Sequence, residues 1–360
     1  MIYDNEGLSQ EDKTNIEFLA KEQNKTKLEI KYFNNSNNYY ERCINSIKEI
    51  TPESICHYGV KYLDDKLYGI QKNELVVIGS WSGVGKSHMA DLIATHNASN
   101  GKKVAYFRLE GDKNEFPRLQ LWKYMSLAYY SSDRHNTNPI PDFNYQAFCQ
   151  NKIEPRYIDA YLLTAQEELA KQQENLLLYD SASGLNKEKF KAIIADLYCN
   201  KINLCVIDHL HYFDLYSTEN EIQQISEIMR LIKHITETLS IPIVLIAHLR
   251  KKTDRKMIIP SMDDFHGTSN IAKEANTMIC IAPDYANYRH NDLLYPTMFR
   301  IAKNRSGIRA DAMALIDFDG KTKKYNDFAY QEGKIVGDGE KYELFQASDT
   351  VKKSLTQYSL

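Results

Sequence analysis

Leu75-Val-Val-Ile78, Gly79-Ser-Trp-Ser-Gly-Val-Gly-Lys86-Ser87 and His88-Met-Ala-Asp-Leu-Ile-Ala-Thr95 follow one another without a break. The first run is apolar, the second is a glycine-rich turn, and the third has a helical pattern. Strand, turn and helix in that order form a phosphate cradle: small residues let backbone N–H groups crowd around phosphate oxygens, and the helix N-terminus adds partial positive charge. The spacing predicts that Ser80, Trp81, Ser82, Gly83, Val84, Gly85, Lys86, Ser87 and His88 surround a nucleoside triphosphate. Lys86 is expected to reach the β- and γ-phosphates and Ser87 to ligate Mg²⁺. One position departs from the usual pattern: Ser80 stands where the first glycine is expected, and Gly79 comes one place earlier.

The strands that follow are read outward from this one: 104–110, 176–180, 204–208, 241–247, then shorter ones at 277–281, 297–302 and 312–318, with a hairpin turn at Asp319-Gly320 leading into 324–328. Helical patterns lie between the early strands, at about 186–199 and 222–239, and 115–175 reads as mostly helical with an irregular middle at 131–141. Continuous apolar strands alternating with helices predict an α/β fold with a mainly parallel sheet covered on both faces. The expected division is an N-terminal extension with a helix over 1–56, an ATPase core over 57–330, and a polar tail over 331–360.

Composition narrows the function. The 360 residues are 43% hydrophobic and 26% charged, with net charge −3, so any nucleic-acid contact must come from a local basic patch. Six cysteines show no metal-ligand spacing, which fits reduced thiols in a cytoplasmic protein. No apolar run is long enough to span a membrane, and the abundance of Asn, Lys, Ile and Tyr reads as coding bias.

Triphosphate hydrolysis also needs a metal-holding acid, a base, a γ-phosphate sensor and usually an outside cation. Asp208 ends an apolar strand and is the candidate metal acid, with Ser87 as the second ligand. Glu110 follows the strand after the cradle helix and is the candidate base, ahead of Asp112 and Glu115. His248 ends the fifth strand, where a polar group can touch both a γ-phosphate and the loop that follows. Lys303 and Arg305 follow a late strand and supply phosphate-seeking cations. Arg250, Lys251, Lys252, Arg255 and Lys256 form a basic loop; on a ring of subunits such loops would hold a phosphate backbone.

With these residues in place, the chain resembles the DnaB-like hexameric helicases, including the Twinkle branch, over about residues 57–330. The similarity rests on Gly-Val-Gly-Lys86-Ser87, Arg108-Leu-Glu110, Val206-Ile-Asp-His-Leu-His211, Ala247-His-Leu-Arg250, the stretch 264–276, and Ala302-Lys-Asn-Arg-Ser-Gly307. The resemblance implies a RecA-like ring ATPase with ATP sites between subunits and no membrane partner. It implies Glu110 as base, Asp208 on the metal's water, His248 as sensor, and Lys303 and Arg305 reaching into a neighbour's site. It implies single-stranded DNA as partner, a homo-oligomer, expected to be a hexamer, and a helix at 39–50 docked on the adjacent subunit. His266, Gly267, Thr268 and Ser269 occupy the places of the family's Arg-Glu-Ser-Gly, and His266, Gly267 and Ser269 are counted with the DNA contacts. With about 55 residues ahead of the core and no zinc-type cysteines, no primase contact is predicted. The reading is an ATP-dependent helicase; the alternatives are a DNA-stimulated ATPase without unwinding and a nucleotide-gated scaffold.

Overall fold

The computed structural model describes residues 44–45, 55–81, 83–180, 185–213, 221–250, 259–265, 268–289, 293–305, 312–336 and 341–345. Its elements are, in chain order, α1 (Lys61–Leu67), β1 (Leu75–Ser80), α2 (Lys86–Ser99), β2 (Val104–Arg108), α3 (Glu115–Tyr130), α4 (Arg134–Thr137), α5 (Tyr145–Cys149), α6 (Pro155–Gln173), β3 (Leu176–Asp180), α7 (Lys187–Cys199) and β4 (Leu204–Asp208). Then come α8 (Glu221–Leu239), β5 (Ile243–His248), α9 (Thr268–Glu274), β6 (Thr277–Pro283), β7 (Leu294–Asn304), β8 (Ala312–Asp319), β9 (Lys324–Val336) and β10 (Lys341–Leu344).

These strands make one 10-stranded sheet in the order β10-β9-β8-β7-β6-β1-β5-β4-β2-β3. From β6 to β3 every pairing is parallel; from β6 to β10 every pairing is antiparallel. The parallel half reads as unbroken apolar runs because both faces are covered. Successive side chains alternate between faces. Leu75, Val77, Phe107, Cys205, Ile207 and Leu245 pack with α7 and α8 on one face. Val76, Ile78, Tyr106, Val206, Val244 and Ile246 pack with α1 and α2 on the other. A separate cluster around Trp122 joins α3, α5 and α6, so the helical stretch between β2 and β3 carries its own small core.

The expected α/β architecture is present, with the parallel pairings gathered in the nucleotide-facing half and the antiparallel strands added along one flank. One expectation is corrected. The polar tail expected from residue 331 does not begin there: β9 continues to Val336, and β10 pairs with it through Lys341↔Val336 and Leu344↔Gly333. An edge strand with one wetted face reads as polar, which is why sequence patterning passes over it. The helix expected at 39–50 lies outside the described residues apart from Ile44 and Asn45, which are helical.

The Gly79 departure has a packing cause. A Cβ built on Gly79 would lie 2.4 Å from the Phe265 ring and 2.8 Å from Leu249. Leu249 bridges Phe265 as the chain leaves β5, and its N–H donates to the Ser80 carbonyl at 3.1 Å. The glycine lets that crossing lie flat on β1. A Gly79→Ala variant is expected to lose about 1–3 kcal/mol from overpacking. Denaturant titration checks this, and an unchanged midpoint would mean that the ring yields without cost.

Candidate nucleotide site

The carboxyl edge of the parallel strands gathers the site. β1 and β5 pair so that Ser80 faces His248, and β2 and β4 pair so that Arg108 faces Asp208. Ligands of open α/β sheets sit outside this edge. Gly83 and Gly85 hold φ of +79° and +94°, values that L side chains adopt only under strain, so the cradle requires glycine at both. The Gly85 turn opens directly into α2 at Lys86.

Lys86 is buried, and its Nζ donates to the Trp81 carbonyl at 3.3 Å. Burial lowers its pKa, while Asp208 and Glu110 oppose the fall. Asp208 is 1% exposed, and neither carboxylate oxygen has a hydrogen-bond partner among the described residues. Burial raises its pKa to about 6; the Ser87 hydroxyl beside it opposes the rise without reaching good hydrogen-bonding geometry. A buried, unsatisfied carboxylate next to a hydroxyl and a phosphate cradle is a donor set that fits a hard divalent cation.

Glu110 lies two residues beyond β2, half exposed, with Oε2 3.1 Å from His209 Nε2. The loop carrying it is pinned from behind. Arg108 donates to the Asp112 carbonyl at 3.0 Å and pairs with Glu115, while Arg118 pairs with Asp112 at 2.7 Å. Asp112 and Glu115 are thus engaged by arginines, which leaves Glu110 as the acid facing the cradle. His248 Nε2 lies 3.1 Å from His209 Nε2, the two rings nearly perpendicular at 80°. Sequence reasoning does not single out His209, which simply stands in place of a second acid; here it is 2% exposed and joins Glu110 to His248.

Beside the cradle is a cavity of about 220 Å³ lined by Gly83, Gly85, Tyr288, Tyr295, Phe318 and Tyr325. His88 also lines it, with its ring 5.2 Å from Phe318; burial holds this histidine near pKa 3 and therefore neutral. The tyrosines that composition presents as coding bias thus include a group of aromatic walls next to the phosphate site. Tyr288 comes from the β6–β7 connection, Tyr295 from the start of β7 and Tyr325 from the start of β9, so no local periodicity marks them.

Lys303 and Arg305 lie elsewhere. Asn304 pairs with Thr277, which pairs with Val76 at the start of β1. That is the amino edge, about 13 Å along the strands from Ser80. There Lys303 Nζ donates to the Ala275 carbonyl at 2.7 Å and also to that of Ala272, and Arg305 donates to the Lys273 carbonyl. Of the expected DNA contacts, Arg250 is described and exposed, with its carbonyl accepting from the Trp81 indole at 3.2 Å. Ser269 is described only as part of α9, and Lys251, Lys252, Arg255, Lys256, His266 and Gly267 lie outside the described residues, as does Ser82 in the cradle. Among the described residues no helix is long and apolar enough to cross a membrane.

Burial of Asp208 has a measurable consequence. A carboxyl whose folded pKa lies above its unfolded value makes stability fall as pH rises between the two, here from about 4 to about 6, and the loss persists above. Asp208→Asn is therefore expected to stabilise the ligand-free protein at pH 7, by up to about 3 kcal/mol. The gain should vanish near pH 4. Denaturation at both pH values checks it, and equal gains would assign the effect to something other than charge.

Comparison with known proteins places the chain in a family. The family model "DnaB-like helicase C terminal domain" matches residues 56–327. The replicative DNA helicase DnaB of Buchnera aphidicola subsp. Baizongia pistaciae is 21% identical over 276 residues, covering 75% of this chain and 55% of that protein. A probable replicative DNA helicase of Trieres chinensis is 22% identical over 282 residues, covering 76% and 57%. The chain therefore spans a little over half the length of these relatives. Among solved structures, a DnaB-like replicative helicase described with its interactions with primase superposes with TM-score 0.62 at 17% identity, over 79% of this chain and 65% of that one. A second solved structure, described as an ATPase domain, gives 0.60 at 17% identity, over 81% and 98%. With three quarters of its length matched by the family model, the chain belongs to the DnaB-like helicase C-terminal domain family.

Proposed function

We propose that this chain is one protomer of a ring ATPase, expected to be hexameric, that moves along single-stranded DNA and separates duplex ahead of it. The observation that carries the reading is the division of charged groups. Lys86, Ser87, Asp208, Glu110 and His248 meet at the carboxyl edge of the sheet, while Lys303 and Arg305 sit at the amino edge. A cation so far from its own cradle can complete a phosphate site only on another copy.

The roles follow from chemistry. Backbone N–H groups of the cradle and the Lys86 ammonium hold the β- and γ-phosphates of ATP, and the aromatic cavity takes the base by stacking. Ser87 and Asp208 would hold Mg²⁺, which would supply positive charge to offset that of the phosphate oxygens. Glu110 takes a proton from the attacking water, and His248 contacts the γ-phosphate at the root of the basic loop beginning at Arg250. Lys303 and Arg305 stabilise the charge that develops at the γ-phosphate of the neighbouring copy.

Lys86→Ala is expected to abolish ATP hydrolysis, and Arg305→Ala to abolish it while sparing nucleotide binding. Mixing the two inactive variants should restore activity at about a quarter of sites, because random assembly pairs an intact cradle with an intact neighbouring arginine that often. Steady-state ATPase assays on co-refolded mixtures, with particle mass recorded in the same buffer, test this. No recovery in mixed rings, or full turnover by Arg305→Ala alone, would place every catalytic group within one chain. Strand separation on a forked duplex, compared with hydrolysis stimulated by single strands alone, decides between a helicase and an ATPase that does not unwind.

A further inference from the structure

We propose that His209 is a positioning residue that aims Glu110 at the attacking water, and that it does so fully only once His248 has turned to the γ-phosphate. The inference rests on the assignment of Glu110 as base and His248 as phosphate contact.

Its starting point is where the hydrogen on the His209 ring must be. The backbone N–H of His211 donates to Nδ1 of His209 at 3.3 Å. Nδ1 is therefore the lone-pair nitrogen, and Nε2 carries the single ring hydrogen. Two acceptors compete for that one hydrogen, Glu110 Oε2 and His248 Nε2, each 3.1 Å from His209 Nε2. The His209 ring is 2% exposed and cannot follow either; the Glu110 side chain is 46% exposed and can move. A fixed donor thus orders a mobile carboxylate, reducing the entropy that would otherwise be lost on reaching the reactive geometry.

The second acceptor makes the arrangement conditional. His248 competes for the hydrogen only while its Nε2 presents a lone pair to His209. A phosphate oxygen has only lone pairs, so a His248 ring that turns its Nε2 to that oxygen must present an N–H there instead. That removes the competing acceptor, and the His209 hydrogen passes wholly to Glu110. The carboxylate oxygen left over can accept from water. Occupancy of the γ-phosphate position and orientation of the base are then one event.

The same three side chains offer ligand atoms within 4.8 Å of one another, and two imidazoles with a carboxylate are a common transition-metal set. Ligation would need the lone pair of His209 at Nε2, which means moving the hydrogen to Nδ1 and breaking the bond from the His211 N–H. The hydrogen-bonded arrangement keeps that bond, so the proposal is a relay and not a metal centre.

The test uses the full chain. His209→Phe keeps a planar ring and removes the N–H; His209→Gln restores an N–H donor. His209→Phe is expected to lower kcat about 10- to 100-fold, the size of one hydrogen bond to a charged group, with affinity for a non-hydrolysable ATP analogue unchanged. His209→Gln should recover most of that loss. Wild-type kcat in His209→Phe, or no rescue by His209→Gln, would each overturn the relay. Glu110→Gln, measured alongside, separates the two readings: turnover there removes the assigned base, whereas an inactive Glu110→Gln beside a fully active His209→Phe removes only the role given to His209. Titration with Zn²⁺ is expected to show no binding at this cluster, and binding abolished by His209→Phe would overturn the relay in favour of a metal site.

Discussion

Taking the Asp208 carboxylate out of water, with no hydrogen-bond partner among the described residues, costs free energy. Folded proteins tolerate such groups where a ligand completes them. The sheet imposes that cost by burying β4 between β5 and β2, both of which are held by covered faces. The same register that strands Asp208 in a dry pocket lifts His248 and Glu110 to its rim. The carboxylate's neighbour in charge is the Lys86 ammonium, which is itself desolvated. Two opposite charges, both underserved by solvent, leave a cleft poised to accept phosphate on one side and a cation on the other. Strong pKa displacement in a cleft marks a working site, and here the displaced acid is the one that ends an apolar strand in the sequence.

Much of this is legible in sequence because the informative features are local. β3 and β4 can be read at their observed bounds, 176–180 and 204–208, since each is an apolar run ended by an aspartate. The cradle is legible because glycine spacing encodes backbone conformation directly, and Gly83 and Gly85 do hold positive φ. What escapes depends on distant partners. His209 has meaning only beside His248, 39 positions away, and beside a glutamate carried by another strand. The aromatic wall needs Tyr288 from the β6–β7 connection, Tyr295 from β7 and Tyr325 from β9, which composition alone presents as tyrosine excess. The outer strands escape for a different reason: β10 alternates exposed and half-buried residues, so it offers no apolar run to find.

The cradle and the loop after β5 are mechanically joined. Ser80 accepts from the Leu249 N–H, the Trp81 indole donates to the Arg250 carbonyl, and the Arg250 N–H donates to the Asp264 carbonyl at 2.7 Å. Gly79 is held against Leu249 and Phe265 by contacts too close for any side chain. A packed interior shifts between discrete arrangements rather than deforming smoothly. Under the proposed function, a change in Trp81 on phosphate binding would reach both ends of the segment between Arg250 and Asp264. That segment contains the basic residues proposed to contact DNA. The serine at the place of the usual first glycine thus belongs to a junction whose glycine has been moved one step back, to where the crossing chain needs it.

The same logic governs Lys303 and Arg305. In the isolated protomer both donate to carbonyls at the C-terminal end of α9, from Ala272 to Ala275. Helix ends leave such carbonyls unpaired and carry partial negative charge, so cations settle there. Under the proposed function these two side chains face a choice between carbonyls of their own helix and phosphate of a neighbouring copy. Phosphate carries full charges where the carbonyls carry partial ones, so a triphosphate in the adjoining site draws the cations away. What they leave behind is the C-terminal cap of α9, the helix that begins directly after His266 and Gly267 in the sequence. Nucleotide in one subunit would then loosen α9 of the next, and its loss would tighten it again. Lys303 is the more sensitive of the pair, since its pKa is lowered by burial and by the charges of Arg305 and Lys233 beside it, and a phosphate relieves that repulsion.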